Sequence, residues 1–359
     1  MRSKMNEIPY LKAMIYLIIT IFVLTILYLL MKVSPIFGQI LFFIKNLFLP
    51  FFIALIISYL LHPIVTILHN RGVPRSIAVL LIYIVFFGSV TIICLRAFPL
   101  LATQVKELGE NLPLIIQRIK SWLDGIRNGY PIPDSIQKGI DTSIQNWEAK
   151  LTSGFSHVMD WVGNTISILF TIFLVPFVSF YILKDYKLIE KTVITFVPRS
   201  KRKGMIRLLK EIDEALGNYI RGQLIVITIV GVLAYIGYLI IDLPYALLLA
   251  FIVSITDIIP YIGPFIGMAP ALIVAMSISW KMVISVLIVN LTIQALEGNV
   301  ISPQVVGRKL NIHPLLIIIS LLIGGESGGV VGMILAVPIF AILKVILQHI
   351  FIYLRKTRI

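Results

Sequence analysis

The amino-acid sequence predicts an all-α membrane protein with about seven to eight transmembrane helices. Hydrophobic residues make up 58% of the 359 residues and charged residues only 13%, and the mean hydropathy is +0.99. Several apolar runs reach the roughly 20 residues that a helix needs to cross a bilayer. This composition excludes a soluble domain. A re-entrant hairpin and an external amphipathic helical segment complete the predicted fold class.

Residues 1–98 are predicted to form three transmembrane helices. Basic residues precede the first apolar run, 13–31, and predict a retained helix with a cytoplasmic N-terminus. The second span is predicted at 40–61. A basic turn follows it on the cytoplasmic side, and the third span, 77–98, leads back out.

Residues 99–160 form the predicted external segment, in which basic and acidic residues balance. Prolines and glycine predict a helix that begins near Pro113 and ends at Gly129. Apolar residues in this region recur at alternating spacings of three and four: Val105, Leu108, Leu112, Ile115, Ile119, Trp122 and Ile126. This stripe could lie on the membrane surface, pack on the protein's own helices, or meet a neighbouring subunit.

Residues 161–183 form the predicted fourth span, and residues 184–222 a basic cytoplasmic loop. Lysine and arginine outnumber acidic residues there, as the positive-inside rule requires of a cytoplasmic loop. The loop explains much of the formal net charge of +14. It lacks the interleaved aromatic residues of a nucleic-acid surface, so no nucleic-acid partner is predicted. A short amphipathic helix at 206–216 is predicted to lie at the inner interface.

Residues 223–359 form the predicted transport core with broken helices. Its fifth span ends near residue 241, and an acid, two prolines and a glycine then interrupt the next apolar run at 257–264. Proline removes a backbone donor and glycine accepts almost any backbone angle. Irregular backbone at membrane depth is expected only where protein covers it or water reaches it, and an acid there by default marks a transport path. Alternatively, Asp257 merely caps the second half of a kinked helix.

The two apolar halves around this interruption, 244–256 and 263–278, are each too short to span. We therefore predict a re-entrant hairpin that enters from outside, with residues 257–264 at its tip. One broken span over 244–278 is the alternative.

Three further helices are predicted in the transport core. A span at 282–296 precedes an inner loop at 298–313. A short helix at 314–323 and a long helix at 330–353 then follow, joined by a glycine-rich segment.

Polar residues within this core are the candidate transport site. Asn290, Gln294 and Glu297 share one helix face by their spacing, and we expect that face to meet Asp257. Alternatively, the two amides only join helices by hydrogen bonds. The transport-site candidates are Asp257, Pro260, Tyr261, Gly263, Pro264, Asn290, Gln294, Glu297 and Asn299. The gating or structural candidates are Gln223, Pro303, Gly307, His313 and Pro314.

Catalytic motifs are not found in the sequence. It has no nucleophile elbow, no paired His-Glu zinc motif and no phosphate-binding loop that ends in lysine. We therefore predict no enzyme activity, no cofactor and no metal site, and a secondary transporter in place of a nucleotide-driven pump. A membrane scaffold without transport activity is the competing class.

The motifs of the core resemble the signature of the autoinducer-2 exporter family, and the resemblance covers nearly the whole chain. The motifs are Asp257-Ile-Ile-Pro-Tyr-Ile-Gly-Pro264, Glu297-Gly-Asn-Val-Ile-Ser-Pro303, Gly307, His313-Pro-Leu315 and Gly328-Gly-Val-Val-Gly-Met-Ile-Leu-Ala-Val-Pro338. The resemblance implies export of a small polar signal such as autoinducer-2, or exchange of sodium or lithium for protons. It also implies a homo-oligomer, with five subunits suspected.

The expected location is the bacterial cell membrane, with both chain termini in the cytoplasm. The expected partners are a small polar solute, or a monovalent cation and a proton, together with membrane lipids.

Overall fold

The structure is a computed structural model that describes residues 9–129, 165–305 and 313–357, together with residues 139, 142 and 146. The helices of this described part are α1 (Pro9–Asn70), α2 (Arg75–Gly129), α3 (Thr165–Lys184), α4 (Tyr186–Thr195), α5 (Arg202–Ile240), α6 (Ala246–Thr256), α7 (Gly263–Met276), α8 (Trp280–Leu296), α9 (Ser302–Val305) and α10 (Pro314–Thr357). A 3-10 turn precedes α5, and a π-helical turn, Glu297–Ile301, joins α8 to α9.

Five of the described helical stretches are long and apolar enough to cross a membrane. They are Pro50–Asn70, Arg75–Trp122, Arg202–Ile240, Trp280–Val305 and Pro314–Phe351. All secondary-structure elements in the described residues are helices. The predicted all-α polytopic class is therefore confirmed.

The first two helices are longer than predicted. The predicted spans 13–31 and 40–61 lie on one continuous helix, α1, so the prediction of two separate helices is wrong. Helix α2 likewise contains both the third span and the amphipathic stripe, with Pro99 and Pro113 inside it. A single proline can kink a helix while both flanks stay helical, so the predicted start at Pro113 is also wrong. The residues beyond the predicted end at Gly129 lie outside the described part of the chain.

The amphipathic stripe packs against the protein's own helices, which decides among the three alternatives. Leu108 and Ile115, each 6% exposed, join a core that is otherwise built from the C-terminal helices. The Trp122 ring stacks on Trp280 at the start of α8, with 5.9 Å between ring centroids. Residues 99–129 of α2, here called the arm, therefore belong to the core of the molecule. Most of the external segment beyond the arm lies outside the described residues.

Helix α5 is the central element of the C-terminal half. It contains the predicted amphipathic segment and the predicted fifth span in one helix, so a separate interfacial helix is wrong. Buried residues recur every fourth position along it and are at most 1% exposed: Val226, Val230, Ala234 and Tyr238. This stripe packs in one core with α6, α7 and α8.

A polar contact anchors the first part of α5. Tyr59 of α1 and Tyr186 of α4 each donate a hydroxyl hydrogen bond to the Asp213 carboxylate, at 2.9 and 3.1 Å. Burial and the neighbouring Asp213 charge raise the pKa of Tyr186 to about 12, so its hydroxyl remains a donor at neutral pH. The N-terminal helices are thereby joined to α5.

Helices α6 and α7 form the predicted hairpin, here called the first hairpin. A Cβ atom at Gly267 of α7 would lie 2.7 Å from the Val253 Cα of α6. Such close contact requires two helices side by side, which excludes one broken span with its halves in line. With 11 and 14 residues, the helices are about 16 and 21 Å long, shorter than the roughly 30 Å of bilayer hydrocarbon.

A second hairpin is formed by the two limbs of α10, 314–328 and 330–357. The chain reverses at Gly329, which has φ 59° and ψ −142°, a conformation open to glycine but costly for other residues. Beyond the turn, Gly332 lies directly against the backbone carbonyl of Gly324. The predicted glycine-rich joint is confirmed. The predicted inner loop begins too early, because helical structure continues from α8 through Val305.

Gly263 at the start of α7 provides a test of the first hairpin. A Cβ atom there would overlap the backbone carbonyl of Thr256, and backbone cannot move aside as a side chain can. We expect Gly263→Ala to lower the free energy of unfolding by at least about 3 kcal/mol, measured by thermal unfolding in detergent. Gly88→Ala is the matched control, because open space surrounds Gly88 and the change there should stay within about 1 kcal/mol. Equal stability of the two variants would contradict the hairpin.

Candidate functional site

The tip of the first hairpin is a short, tightly turned segment, 257–262. The Ile262 N–H bonds the Pro260 carbonyl at 2.8 Å, and the Gly263 N–H bonds the Ile259 carbonyl at 2.8 Å. Tyr261 has φ 65°, a left-handed conformation that is uncommon outside glycine, and its side chain is 49% exposed. Pro264 is the second residue of α7, where its missing N–H costs nothing. The residues that interrupt the apolar run thus build one compact reversal.

Asp257 is the buried polar centre of this tip. Its side chain is 0% exposed, and neither carboxyl oxygen has a hydrogen-bond partner among the residues that the structure describes. The hypothesis that Asp257 merely caps the second helix is wrong, because its side chain makes no capping bond to α7. An uncompensated polar group costs about 2–7 kcal/mol on transfer out of water. Asp257 therefore adds nothing to stability through hydrogen bonding.

Gln223 of α5 holds the main chain of the tip in place. Its side-chain amide donates a hydrogen bond to the backbone carbonyl of Asp257, at 2.8 Å. The amide thus supplies a donor to a carbonyl at the end of α6. Gln223 was predicted as a gating or structural residue, and the structure places it in contact with the candidate transport acid.

A second acid and a tyrosine accompany Asp257. Glu297 begins the π-helical turn, which packs against α5, the helix that carries Gln223. Tyr219 of α5, 8% exposed, packs in one cluster with Ile259 of the tip. Gln294 lies one turn before Glu297, and no described residue forms a hydrogen bond with its buried amide nitrogen. Sequence analysis missed Tyr219, although it precedes Gln223 by four residues and so shares its face of α5.

Asn290 lies away from this group. Its side-chain oxygen accepts a hydrogen bond from the Tyr238 hydroxyl at 3.1 Å, and its amide donates to the Val286 carbonyl at 2.9 Å. Tyr238 is 15 residues beyond Gln223 on α5, about 22 Å along the helix axis. The expectation that Asn290 faces Asp257 is therefore wrong, and its hydrogen bond with Tyr238 joins α8 to α5. Spacing gives the shared face of a helix, but not which part of a neighbouring helix each residue meets.

The remaining predicted residues lie around the tip or beyond it. Asn299 is exposed and bonds the Ala295 carbonyl of its own helix, and Pro303 is exposed on α9. His313 is exposed, and its Nδ1 accepts a hydrogen bond from the Leu315 N–H at 3.2 Å. It therefore caps α10, in which Pro314 is the first residue. Gly307 lies outside the described residues.

The second hairpin covers the tip of the first. Ile259, 4% exposed, packs in one cluster with Leu321 of the first limb and with Ala336 and Val337 of the second limb. Tyr219 belongs to the same cluster. Asp257 thus lies where two hairpins and α5 meet. Among the described residues, no group of three or more histidine, cysteine or acidic side chains could hold a metal ion.

The known proteins that this chain resembles are described as transporters or permeases. The family model described as AI-2E family transporter matches residues 17–352. The "Putative transport protein YrrI" of Bacillus subtilis strain 168 is 41% identical over 307 residues, which cover 85% of this chain and 87% of that protein. The "Putative permease PerM" of Escherichia coli K12 is 30% identical over 321 residues, which cover 86% and 89%.

The Gln223 contact predicts a specific loss of stability. In Gln223→Leu the Asp257 carbonyl loses its side-chain donor, which should lower the free energy of unfolding by about 1–3 kcal/mol. Thr228→Val is the matched control, because the Thr228 hydroxyl bonds only the Leu224 carbonyl of its own helix. Its effect should stay within about 0.5 kcal/mol. Thermal unfolding in detergent measures both, and a Gln223→Leu protein as stable as the control would contradict this role.

Proposed function

Because this chain belongs to the AI-2E family of transporters, we propose that it is a secondary transporter in which Asp257 carries a proton. The observation that supports this most is the Asp257 carboxyl group at the tip of a membrane hairpin, which is fully buried and has no hydrogen-bond partner within the described ranges. Ionisable residues at membrane depth mark proton, ion or substrate paths by default. A scaffold without transport would gain nothing from such an acid.

The surroundings of Asp257 tie its protonation to movement of the tip. In the described part of the chain no hydrogen-bond donor contacts the carboxyl group, so a negative charge there would be costly and loss of the proton requires access to solvent or to a cation. Access requires the tip to part from the second hairpin, which covers it through Ile259. The turn at Tyr261 and Gly263 can absorb such a change, because hinges are short segments between rigid elements. Proton release and exposure of the site then occur together, as alternating access requires.

Export of a small polar signal such as autoinducer-2 is the proposed activity. A neutral polar solute needs both donors and acceptors. Gln294 offers a buried amide nitrogen without a partner, and the Asp257 and Glu297 carboxyl groups offer acceptors. These groups could bind the solute where the two hairpins meet. The family membership supports transport, and the choice of solute is our proposal.

Exchange of sodium or lithium for protons is the second candidate. The observation that favours it is the presence of two acids on elements that pack against α5: Asp257 at the tip and Glu297 at the start of the π-helical turn. A monovalent cation is held in membrane proteins by carbonyl and carboxylate oxygens, and such a cation could replace the proton on this pair. Flux assays with autoinducer-2 and with sodium in the same liposomes distinguish the two activities.

Location and assembly are also proposed. The charge pattern supports a bacterial cell membrane protein with both termini in the cytoplasm. The family resemblance supports a homo-oligomer, with five subunits suspected. The relatives are named as transport proteins, and we propose no enzymatic activity.

Substitution of Asp257 tests the proposal. Asp257→Asn keeps the shape of the side chain and removes its titration, so we expect a folded protein whose pH-driven flux in liposomes falls to that of empty liposomes. Asp257→Glu should keep part of the flux with a shifted pH optimum, because the acid is retained in a different position.

Glu326→Gln is the matched control, because Glu326 is an exposed acid on the second hairpin. It should transport like the unmodified protein. Unchanged flux and pH dependence in a well-folded Asp257→Asn protein would show that the acid is not the carrier. That result would favour Glu297 as the carrier, or the scaffold alternative if Glu297→Gln is also without effect.

A further inference from the structure

A second polar site lies at the open end of the first hairpin, away from Asp257. A cavity of about 230 Å³, open to the surface, lies there between the arm of α2 and the two hairpin helices. Asn111 and Arg118 line it from the arm, and Tyr245 and Ser277 line it from the outer ends of α6 and α7. The 11 residues of α6 separate it from the tip by about 16 Å. It is therefore distinct from the site proposed for transport.

The walls of this cavity are fixed by hydrogen bonds between the arm and the hairpin. The Asn111 amide donates to the Tyr245 hydroxyl at 3.0 Å. One turn of helix into α6, the Leu248 N–H bonds the Gln104 side-chain oxygen at 2.9 Å. Tyr245 itself has φ 60°, a left-handed conformation that costs energy in any residue with a side chain. These contacts hold the cavity in a defined shape.

The lining has the chemistry of an anion site with an apolar side. Arg118 is the only charged residue among the nine that line the cavity, and its planar guanidinium matches a carboxylate or a phosphate through two parallel hydrogen bonds. The Ser277 hydroxyl donates a hydrogen bond to the Val274 carbonyl oxygen at 2.8 Å. Leu114, Val274 and Ile278 supply apolar surface. The volume is below the roughly 300 Å³ at which pockets for drug-sized ligands begin.

We propose that this cavity binds a small organic anion, a carboxylate or phosphate monoester with a short hydrocarbon part. The anionic group pairs with Arg118, and the hydrocarbon part lies against Leu114 and Ile278. Such a ligand contacts the arm and the hairpin at once, so its binding stabilises the contact between them. The proposal does not depend on Asp257 or on the transported solute. A phospholipid headgroup carries the same phosphate chemistry, and the experiment separates the two sources.

The test measures protection of a cysteine in the cavity. The full chain, with Cys94→Ser and Ser277→Cys, is placed in nanodiscs of phosphatidylcholine and treated with a small uncharged maleimide. Butyrate and monobutyl phosphate are the probes, at constant ionic strength. At about ten times its Kd, a bound anion should slow the reaction about tenfold, because the site is then free about a tenth of the time. Leu114→Cys reports from the other wall if Ser277→Cys does not fold.

Two charge variants make the test specific. Arg118→Gln should abolish the protection. Lys106→Gln removes the same charge from the same helix. Protection should be retained in this variant, because the Lys106 side chain is 72% exposed and does not line the cavity. No slowing by either anion, or equal slowing in Arg118→Gln, would overturn the proposal. A second disc that contains phosphatidylglycerol and no added anion tests the lipid source. Slowing in that disc, with none by either anion in phosphatidylcholine, would also overturn the proposal, because the occupant would then be a lipid.

Discussion

Burial of the Asp257 carboxyl group without a hydrogen-bond donor is the constraint on which the C-terminal half of this molecule depends. A transmembrane helix would leave this group in hydrocarbon, where an acid is costly. The chain instead forms two short helices that meet at a tip, and protein covers the tip on several sides. Gly263 permits the closest backbone approach, and the Gln223 amide supplies a donor for the main-chain carbonyl at Asp257. The main-chain carbonyl of Asp257 thus has a hydrogen-bond donor, whereas none of the described residues donates a hydrogen bond to its carboxyl group.

Contacts at both ends of the first hairpin limit where its tip can lie. At the open end the arm of α2 bonds α6 through Gln104 and Asn111. At the closed end α5 holds the tip, and α5 is itself joined to α1 and α4 through Asp213. A movement that exposes Asp257 must therefore alter the packing of the second hairpin on Ile259, or carry both hairpins together. In either case the two hairpins would have two alternative packings, one that covers Asp257 and one that exposes it, as a conformational switch requires.

The sequence predicted the features that follow from local chemistry. Prolines and a glycine at 257–264 predicted the reversal at the tip of the first hairpin, and the glycines at 324–329 predicted a joint between two helices, because few other residues permit such breaks. Prediction from the sequence failed where the structure depends on packing between distant segments. The prolines of α2 do not end that helix, and Asn290 meets Tyr238 on a part of α5 that helical spacing cannot identify. Tyr219 was missed because a tyrosine in an apolar helix does not differ from an ordinary core residue until its neighbours are known.

The central claim is that the buried Asp257 carboxyl group gains and loses a proton. Infrared difference spectroscopy of the reconstituted protein after a pH jump measures this through the carbonyl stretch of a protonated carboxyl group, a band that carboxylates lack. The account predicts a titrating band that is lost in Asp257→Asn and retained in Glu326→Gln. An unmodified protein without such a band, or a band that persists in Asp257→Asn, would contradict it.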